Sequence, residues 1–249
     1  SQPLYHPNDN NLILICNGEI YNHKDLVKKY NFNTCSKSDC EVILHLYKEI
    51  GICETLKQLD GVFSIVLVDK NLNKVFVARD PFGVRGLFFS SEQEQLFVCS
   101  EMKGISDLCQ NLKPFPPSHY YDSDKNEFIR YFSVPHLDVD DDEKEILENI
   151  KEIFTNAVFK RMMSDRPIAA LLSGGLDSSL VCGILSQKIK NLKTFAIGLK
   201  GSVDLKYAKM VAEHINSEHY SIELTEEEFL NNIENVIKVI ESYDTTTVR

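Results

Sequence analysis

The stretch Leu171-Leu172-Ser173-Gly174-Gly175-Leu176-Asp177-Ser178-Ser179 constrains this chain more than any other. Ile168 to Leu172 is a short, continuous apolar run ended by a turn signal, and reads as a buried strand. Two glycines follow, and from about Ser178 the residues Leu180, Val181, Ile184 and Leu185 recur at helical spacing. Glycines let a backbone bend tightly and bring its N–H groups close to an anion. The helix start adds unpaired N–H donors and the positive end of its dipole. Ser173, Ser178 and Ser179 can donate to phosphate oxygens, and Asp177 would repel a bare phosphate, so a bridging Mg²⁺ is expected there. A strand–turn–helix junction with no ligand would not need hydroxyls and an acid in this order.

The loop resembles the pyrophosphate loop of the N-type ATP pyrophosphatases and matches it without a gap. That resemblance implies ATP cleaved between its α- and β-phosphates to activate a substrate. The lysine of the GxxxxGK[ST] phosphate loop has no counterpart here.

At 249 residues the length suggests about two domains. A hydrophobic share of 43% and a charged share of 26% fit a soluble globular chain. A net charge of -10 argues against non-specific binding to nucleic acid or anionic membrane. The seven cysteines form no CxxC pair, and no apolar run approaches membrane-spanning length. A reducing, cytoplasmic setting with thiols packed as small core residues is therefore expected, with no metal–cysteine site.

The first part is strand-rich. Strands are expected at Leu12 to Cys16, Val62 to Val68, Lys74 to Ala78, Gly86 to Phe89, Leu96 to Cys99 and His119 to Tyr121. Asn22 to Tyr30 reads as a helix. Ser38-Asp39-Cys40-Glu41 has capping-box spacing before a helical stripe that Gly51 should end. Asn17-Gly18 is by itself a strong hairpin signal, as apt to be a plain turn as an oxyanion-binding pair. The acidic run from Asp138 to Glu143 reads as a solvated linker. Beyond it, strands at Thr194 to Gly198 and His219 to Glu223 alternate with helices, as in a parallel sheet with crossovers. The helices are expected from Ile146 to Met162, after the glycine loop, from Asp204 to Ile215, and from Glu226 to about Glu241. The expected domains are residues 1–137, a linker over 138–145, and residues 146–249.

Asn17-Gly18-Glu19-Ile20-Tyr21-Asn22-His23, Ser38-Asp39-Cys40-Glu41, Asp60-Gly61-Val62-Phe63, Ala78-Arg79-Asp80-Pro81-Phe82-Gly83-Val84-Arg85 and Ser100-Glu101-Met102-Lys103 occur in this order, followed by the glycine loop and Thr194-Phe195-Ala196-Ile197-Gly198. Together with Gln2-Pro3, Asp204-Leu205 and Glu241-Ser242-Tyr243-Asp244, they closely resemble the glutamine-hydrolysing asparagine synthetase family from one end of the chain to the other. The fold implied is α+β followed by α/β: an N-terminal-nucleophile αββα sandwich, then a doubly wound parallel-sheet adenine-nucleotide domain, both incomplete. The activity implied is asparagine synthesis from aspartate, glutamine and ATP through a β-aspartyl-adenylate, with glutamate, AMP and pyrophosphate released. ATP and Mg²⁺ are the cofactors implied, and a homodimer would be compatible with the resemblance.

Carried over residue by residue, Asn17 and the Gly18 N–H would form the oxyanion hole. Asn17, Gly18, Glu19 and Asp39 would bind glutamine, Asp39 through its ammonium group. Leu172 and Ile197 would pack against adenosine. Ser173, Gly174, Gly175, Asp177, Ser178 and Ser179 would hold the pyrophosphate, with Asp177 reaching Mg²⁺. The family's nucleophile is an N-terminal cysteine whose amine is the base. Gln2-Pro3 matches a segment well inside that domain, so the nucleophile is expected upstream of Ser1, and this chain alone is expected to be inactive. Gly86, Ser118 and Val203 stand where the family usually has proline, glycine and proline. A β-lactam-forming relative has no need of the retained glutamine-binding residues. The alternative from another class is a non-catalytic fragment or pseudoenzyme that keeps only nucleotide or glutamine binding.

Overall fold

The structure, a computed structural model, describes residues 2–92, 95–136 and 142–242. It divides into two compact units, Ser1–Leu137 and Asp138–Arg249. Ser1, most of the acidic run and the residues from Tyr243 onward lie outside the described residues.

The first unit is built on strands β1 (Leu4–His6), β2 (Asp9–Ile20), β3 (Gly61–Asp69) and β4 (Lys74–Arg79), with β8 (His119–Asp122) and β9 (Glu127–Arg130) completing an antiparallel sheet in that order. A second sheet joins β5 (Phe88–Glu92) to β6 (Gln95–Cys99) on one side and β7 (Lys113–Pro114) on the other. Helices α1 (His23–Tyr30) and α2 (Glu41–Gln58) cover one face of the larger sheet. The layering follows from the period of two in each strand. Leu12, Leu14, Cys16 and Ile20 of β2 join Phe63, Ile65 and Leu67 of β3 under Val42, Ile43 and Leu46 of α2. The alternate residues Val66, Val75 and Val77 pack with Leu87, Phe89 and Phe115 on the side of the smaller sheet. Three layers of the expected helix–sheet–sheet–helix sandwich are therefore present; among the described residues of this unit no further helix exceeds one 3-10 turn at Met102–Gly104.

Several local expectations are corrected. Asn17-Gly18 is no turn: β2 runs through it, and the β2–β3 register is unbroken from Leu12↔Asp69 to Ile20↔Gly61. The ladder's hydrogen bonds outweigh a dipeptide preference. The capping box does not form. α2 starts at Glu41 with no side-chain cap, because the Glu41 carboxylate accepts instead from the Cys35 and Ser36 N–H groups, at 2.8 and 2.6 Å. Gly51 (φ +74°, ψ 172°) does end the first helical stretch as expected, but a second helical segment follows directly and continues to Gln58. The strand expected from Gly86 starts at Phe88 instead, and β1, β7 and β9 were too short to read from periodicity.

One buried carboxylate organises the connection after β4. Asp80 is only 1% exposed. It accepts from the N–H groups of Phe82 (3.0 Å), Val84 (3.0 Å), Arg85 (3.1 Å) and Phe63 (3.3 Å). Arg79 completes the knot by donating to the carbonyls of Gly83, Arg85 and Phe115, each at 2.8 Å. Burial pulls the Arg79 guanidinium below its usual pKa, and the Asp80 charge works the other way. A charge this buried persists only when its lone pairs are satisfied, as they are here. Ser118, in the left-handed region at φ +64°, donates from its hydroxyl to the Pro81 carbonyl at 2.7 Å, which offsets the strain a glycine would avoid.

The second unit holds a parallel sheet of β10 (Ala169–Leu171), β11 (Lys193–Leu199) and β12 (Glu218–Leu224). Helix α3 (Glu143–Lys160) leads into it, α4 (Leu176–Ser186) and α5 (Val203–His214) are the crossovers, and α6 (Glu226–Ile240) follows β12. Val158, Leu172, Cys182, Leu185, Ala196, Leu205 and Ala208 form the core. The strand order is consecutive, one arm of a doubly wound sheet; no reversal of order occurs among the described residues. The helix after the glycine loop begins at Leu176 rather than near Ser178. Val203 takes the first helical position of α5, where proline is favoured because its missing N–H costs nothing there.

Asp80→Asn keeps the shape but turns one oxygen into a donor facing donors. It should destabilise the first unit by about 3 kcal/mol, on the scale of removing a buried group bonded to several donors. The urea midpoint of the chain, followed by tyrosine fluorescence, checks this; a midpoint equal to that of the parent would show the knot to be dispensable.

Candidate functional sites

In the first unit the structure gathers Asn17, Gly18, Glu19 and Asp39 at the far end of β2. Successive backbone groups of a strand alternate between its two edges. Cys16 exchanges both of its backbone groups with the Gln2 side chain, the N–H donating to Gln2 Oε1 at 2.8 Å and the carbonyl accepting from Nε2 at 2.5 Å. Two positions past Gly18, the Ile20 N–H donates to Asp39 Oδ2 at 2.6 Å. Gly18 lies between them and so presents its N–H and C=O to this same edge, where the Cys40 thiol reaches its carbonyl at 3.9 Å. No side chain fits at Gly18: a Cβ would stand 2.2 Å from the Val62 carbonyl and 2.6 Å from Phe63 Cα.

Asn17 and Glu19 share the face of β2 opposite α2. The Asn17 amide donates to Ser100 Oγ at 3.2 Å, and Glu19 lies 3.8 Å from the Arg85 guanidinium. Both groups of the Glu19–Arg85 pair keep more than a third of their side-chain surface in solvent, so the pair is orienting rather than stabilising. Asp39 also borders a depression of about 280 Å³ whose rim carries His23, Lys24, Lys37 and Ser38. Sequence reasoning missed Arg85, Ser100 and Gln2 as neighbours of this edge, although each lay in a quoted motif. The Cys40 thiol beside it, together with burial, pushes the Cys16 thiol far above its ordinary pKa. Such a thiol is a packing group, not a nucleophile.

In the second unit β10 ends at Leu171, and the Leu172 N–H still donates to the Phe195 carbonyl at 2.8 Å. Ser173, Gly174 and Gly175 then turn the chain into α4, with Gly175 as N-cap. The fold's own steric constraint falls on Gly174, at φ +80°, where a Cβ would stand 2.5 Å from the Ala208 nitrogen and 2.7 Å from the Tyr207 carbonyl carbon in α5. At Gly175 the nearest group is Ser173 Oγ at 3.4 Å.

The hydroxyls form a closed set. Ser173 Oγ and Ser178 Oγ are 3.0 Å apart, and Ser178 and Ser179 both donate to the Gly175 carbonyl, at 3.2 and 2.6 Å. Asp177 is exposed in the first turn of α4. Among the described residues no three His, Cys, Asp or Glu side chains converge on a metal position. One carboxylate suits Mg²⁺, which keeps waters and takes its other ligands from phosphate. Ile197 is 63% exposed on β11, open to a flat ligand, whereas Leu172 is 1% exposed and buries its side chain in the core. Only the Leu172 backbone is left for the role expected of it.

Among the described residues no helix is long and apolar enough to cross a membrane, and the cysteines carry free thiols.

Comparison with known proteins bears on both units. A glutamine amidotransferase domain family model matches residues 1–166, and an asparagine synthase family model matches residues 149–249. Asparagine synthetase [glutamine-hydrolyzing] 1 of Arabidopsis thaliana is 40% identical over 264 residues, covering 100% of this chain and 44% of that protein. The human asparagine synthetase [glutamine-hydrolyzing] is 43% identical over 271 residues, covering 96% of this chain and 48% of the human one. A probable asparagine synthetase of Dictyostelium discoideum is 41% identical over 276 residues, covering 100% of this chain and 49% of that protein. This chain thus spans about half the length of the relatives it matches. Among solved structures, a glutamine phosphoribosylpyrophosphate amidotransferase from B. subtilis in complex with ADP and GMP aligns with a TM-score of 0.48 at 18% identity, covering 88% of this chain and 48% of that one. Two family models in series and about 40% identity along the whole chain place it: the chain belongs to the glutamine amidotransferase domain family, and its residues 149–249 match the asparagine synthase model.

Proposed function

We propose that this chain is the glutaminase and ATP-binding portion of an enzyme that makes asparagine from aspartate, glutamine and ATP. The observation that carries the reading is the presence in one chain of the β2 edge with Asp39 and the Ser-Gly-Gly-Leu-Asp-Ser-Ser loop, each within its own family match.

At the β2 edge, Asn17 and the Gly18 N–H supply two donors for the oxyanion that develops when the glutamine amide is attacked, and fixed donors of this kind need no reorganisation in the transition state. Asp39 has lone pairs beyond the one given to Ile20, enough to take the glutamine ammonium. Glu19, held towards Arg85, lines the same end of the strand. In the second unit, the loop N–H groups, the α4 dipole and the hydroxyls of Ser173, Ser178 and Ser179 receive the pyrophosphate of ATP. On binding, the hydroxyls exchange their mutual bonds for phosphate oxygens. Asp177 holds Mg²⁺, whose chemistry is to balance phosphate charge. Ile197 offers an apolar surface to the base. Ammonia released in the first unit is consumed in the second, where aspartate is activated. The free thiols fit a reducing, cytoplasmic setting, and the remaining partners are the small-molecule substrates.

Two outcomes test this in the full-length gene product. Asn17→Ala should lower glutamine-dependent turnover by ~10²–10³-fold, the usual effect of losing one oxyanion donor. Synthesis from added ammonium should persist, and equal loss from both nitrogen sources would make Asn17 a structural residue. Gly174→Ala should destabilise the second unit by at least ~1–2 kcal/mol from its left-handed backbone alone, whereas Gly175→Ala, an N-cap change with no backbone clash, should lower the melting temperature less and weaken ATP–Mg²⁺ binding. The comparison is read by thermal denaturation with and without nucleotide. The reverse ranking would contradict the loop geometry.

A further inference from the structure

Beneath the loop that carries Asp39 lies a buried polar cluster that the proposed chemistry does not use. Glu41 is 2% exposed, His45 7% and His6 5%. Glu41 Oε1 accepts from the Cys35 N–H at 2.8 Å and Oε2 from the Ser36 N–H at 2.6 Å. His45 Nε2 lies 3.3 Å from Glu41 Oε1, one helical turn on. The His45 ring is stacked on Phe32 with centroids 5.1 Å apart and stands 4.6 Å from His6, whose Nδ1 accepts from the Asn8 N–H at 3.2 Å. Burial alone would raise the Glu41 pKa; the donors from Ser36, Cys35 and His45 reverse that and hold it below the ordinary carboxylate value. The loop from Cys35 to Cys40 is thus fastened at its start by Glu41 and joined at its end to α2, with Asp39 reaching across to Ile20.

We infer that Glu41 is a positioning residue for glutamine: its carboxylate, braced by His45, fixes the loop so that Asp39 stands at the β2 edge. This rests on Asp39 being the glutamine ligand. The physical reason is the count of restraints. Asp39 sits in a six-residue loop whose first three residues, Cys35, Ser36 and Lys37, are exposed; Cys40 and the Asp39–Ile20 bond hold its end, and its start is anchored by the two N–H groups that Glu41 accepts. A carboxylate can take both donors at once. A glutamine side chain at this position would accept one and present its own N–H₂ to the other.

The test uses two readouts. In the full-length gene product, Glu41→Gln should raise the KM for glutamine about tenfold, equivalent to ~1.4 kcal/mol, with kcat within about twofold and ammonium-dependent synthesis unchanged. Glu49→Gln, on the exposed side of α2, is the control. A glutamine KM equal to the parent's, or a parallel fall in ammonium-dependent synthesis, would overturn the inference. Amide hydrogen exchange on the 249-residue chain is the second readout and needs no activity. Glu41→Gln should speed exchange at Cys35, Ser36 and Ile20 while leaving Leu14 and Ile65 unchanged. Faster exchange at Cys35 and Ser36 without Ile20, or uniformly across the unit, would also overturn it. If Glu41→Gln does not fold, Glu41→Asp, with a shorter reach to the same donors, is read the same way. A parent enzyme with no glutamine-dependent turnover would defeat the proposed function, and the exchange result would still decide the positioning role.

Discussion

The first unit depends on the Asp80 carboxylate being buried and fully bonded. It is the point where β3, β4 and the connection to the smaller sheet meet. Its bond to the Phe63 N–H fixes β3 opposite Gly18, and its bonds to Phe82, Val84 and Arg85 fold the connection back under that strand. Ser64 then donates to the carbonyls of Arg85 and Gly86, which places the Arg85 side chain near Glu19. A carboxylate at this depth without partners would be costly, so the loop geometry and the hydrogen bonding of Asp80 imply each other.

The two sites are held in different ways. The β2 edge is stiffened by neighbours that already use their hydrogen bonds: Gln2 on Cys16, Asp39 on Ile20, Glu41 on the loop behind. Such a site is organised before any ligand arrives. The glycine loop is held by backbone packing against α5, but its hydroxyls bond to one another and to the Gly175 carbonyl. They are satisfied in the absence of an anion and must be released to bind one. Backbone rigidity with side-chain exchange suits a ligand whose charge arrives with its own counterions.

Patterns that depend on near neighbours were legible in the sequence. The period of two in β2 and β3 and the helical stripe of α2 appear where their side chains predicted; the strand–glycine–helix junction is there too, with its helix starting earlier and its strand more exposed than expected. Features set by long-range partners were not. Asn17-Gly18 carried a turn signal that a continuous ladder to Phe63 and Ser64 overrode. Glu41 had the right spacing from Ser38 for a cap, but the Cys35 and Ser36 N–H groups claimed it first. Leu172 and Ile197 read alike as strand-end residues, and only the sheet shows that one faces the core and the other faces out. For the glycine pair, the sequence could not reveal that α5 crosses behind Gly174 and not Gly175.

That crossing has a consequence for how the second unit can vary. Ala208 has no exposed surface, and its backbone nitrogen is the atom closest to the space a Gly174 side chain would occupy. A bulkier residue at 208 would press α5 away from the core, and the loop, lying against that helix, would have to follow. Drift in α5 is therefore transmitted to the glycine loop without any change in the loop's own residues. Substitutions at 174 and 208 should be inherited as a pair, with neither position free to explore alone.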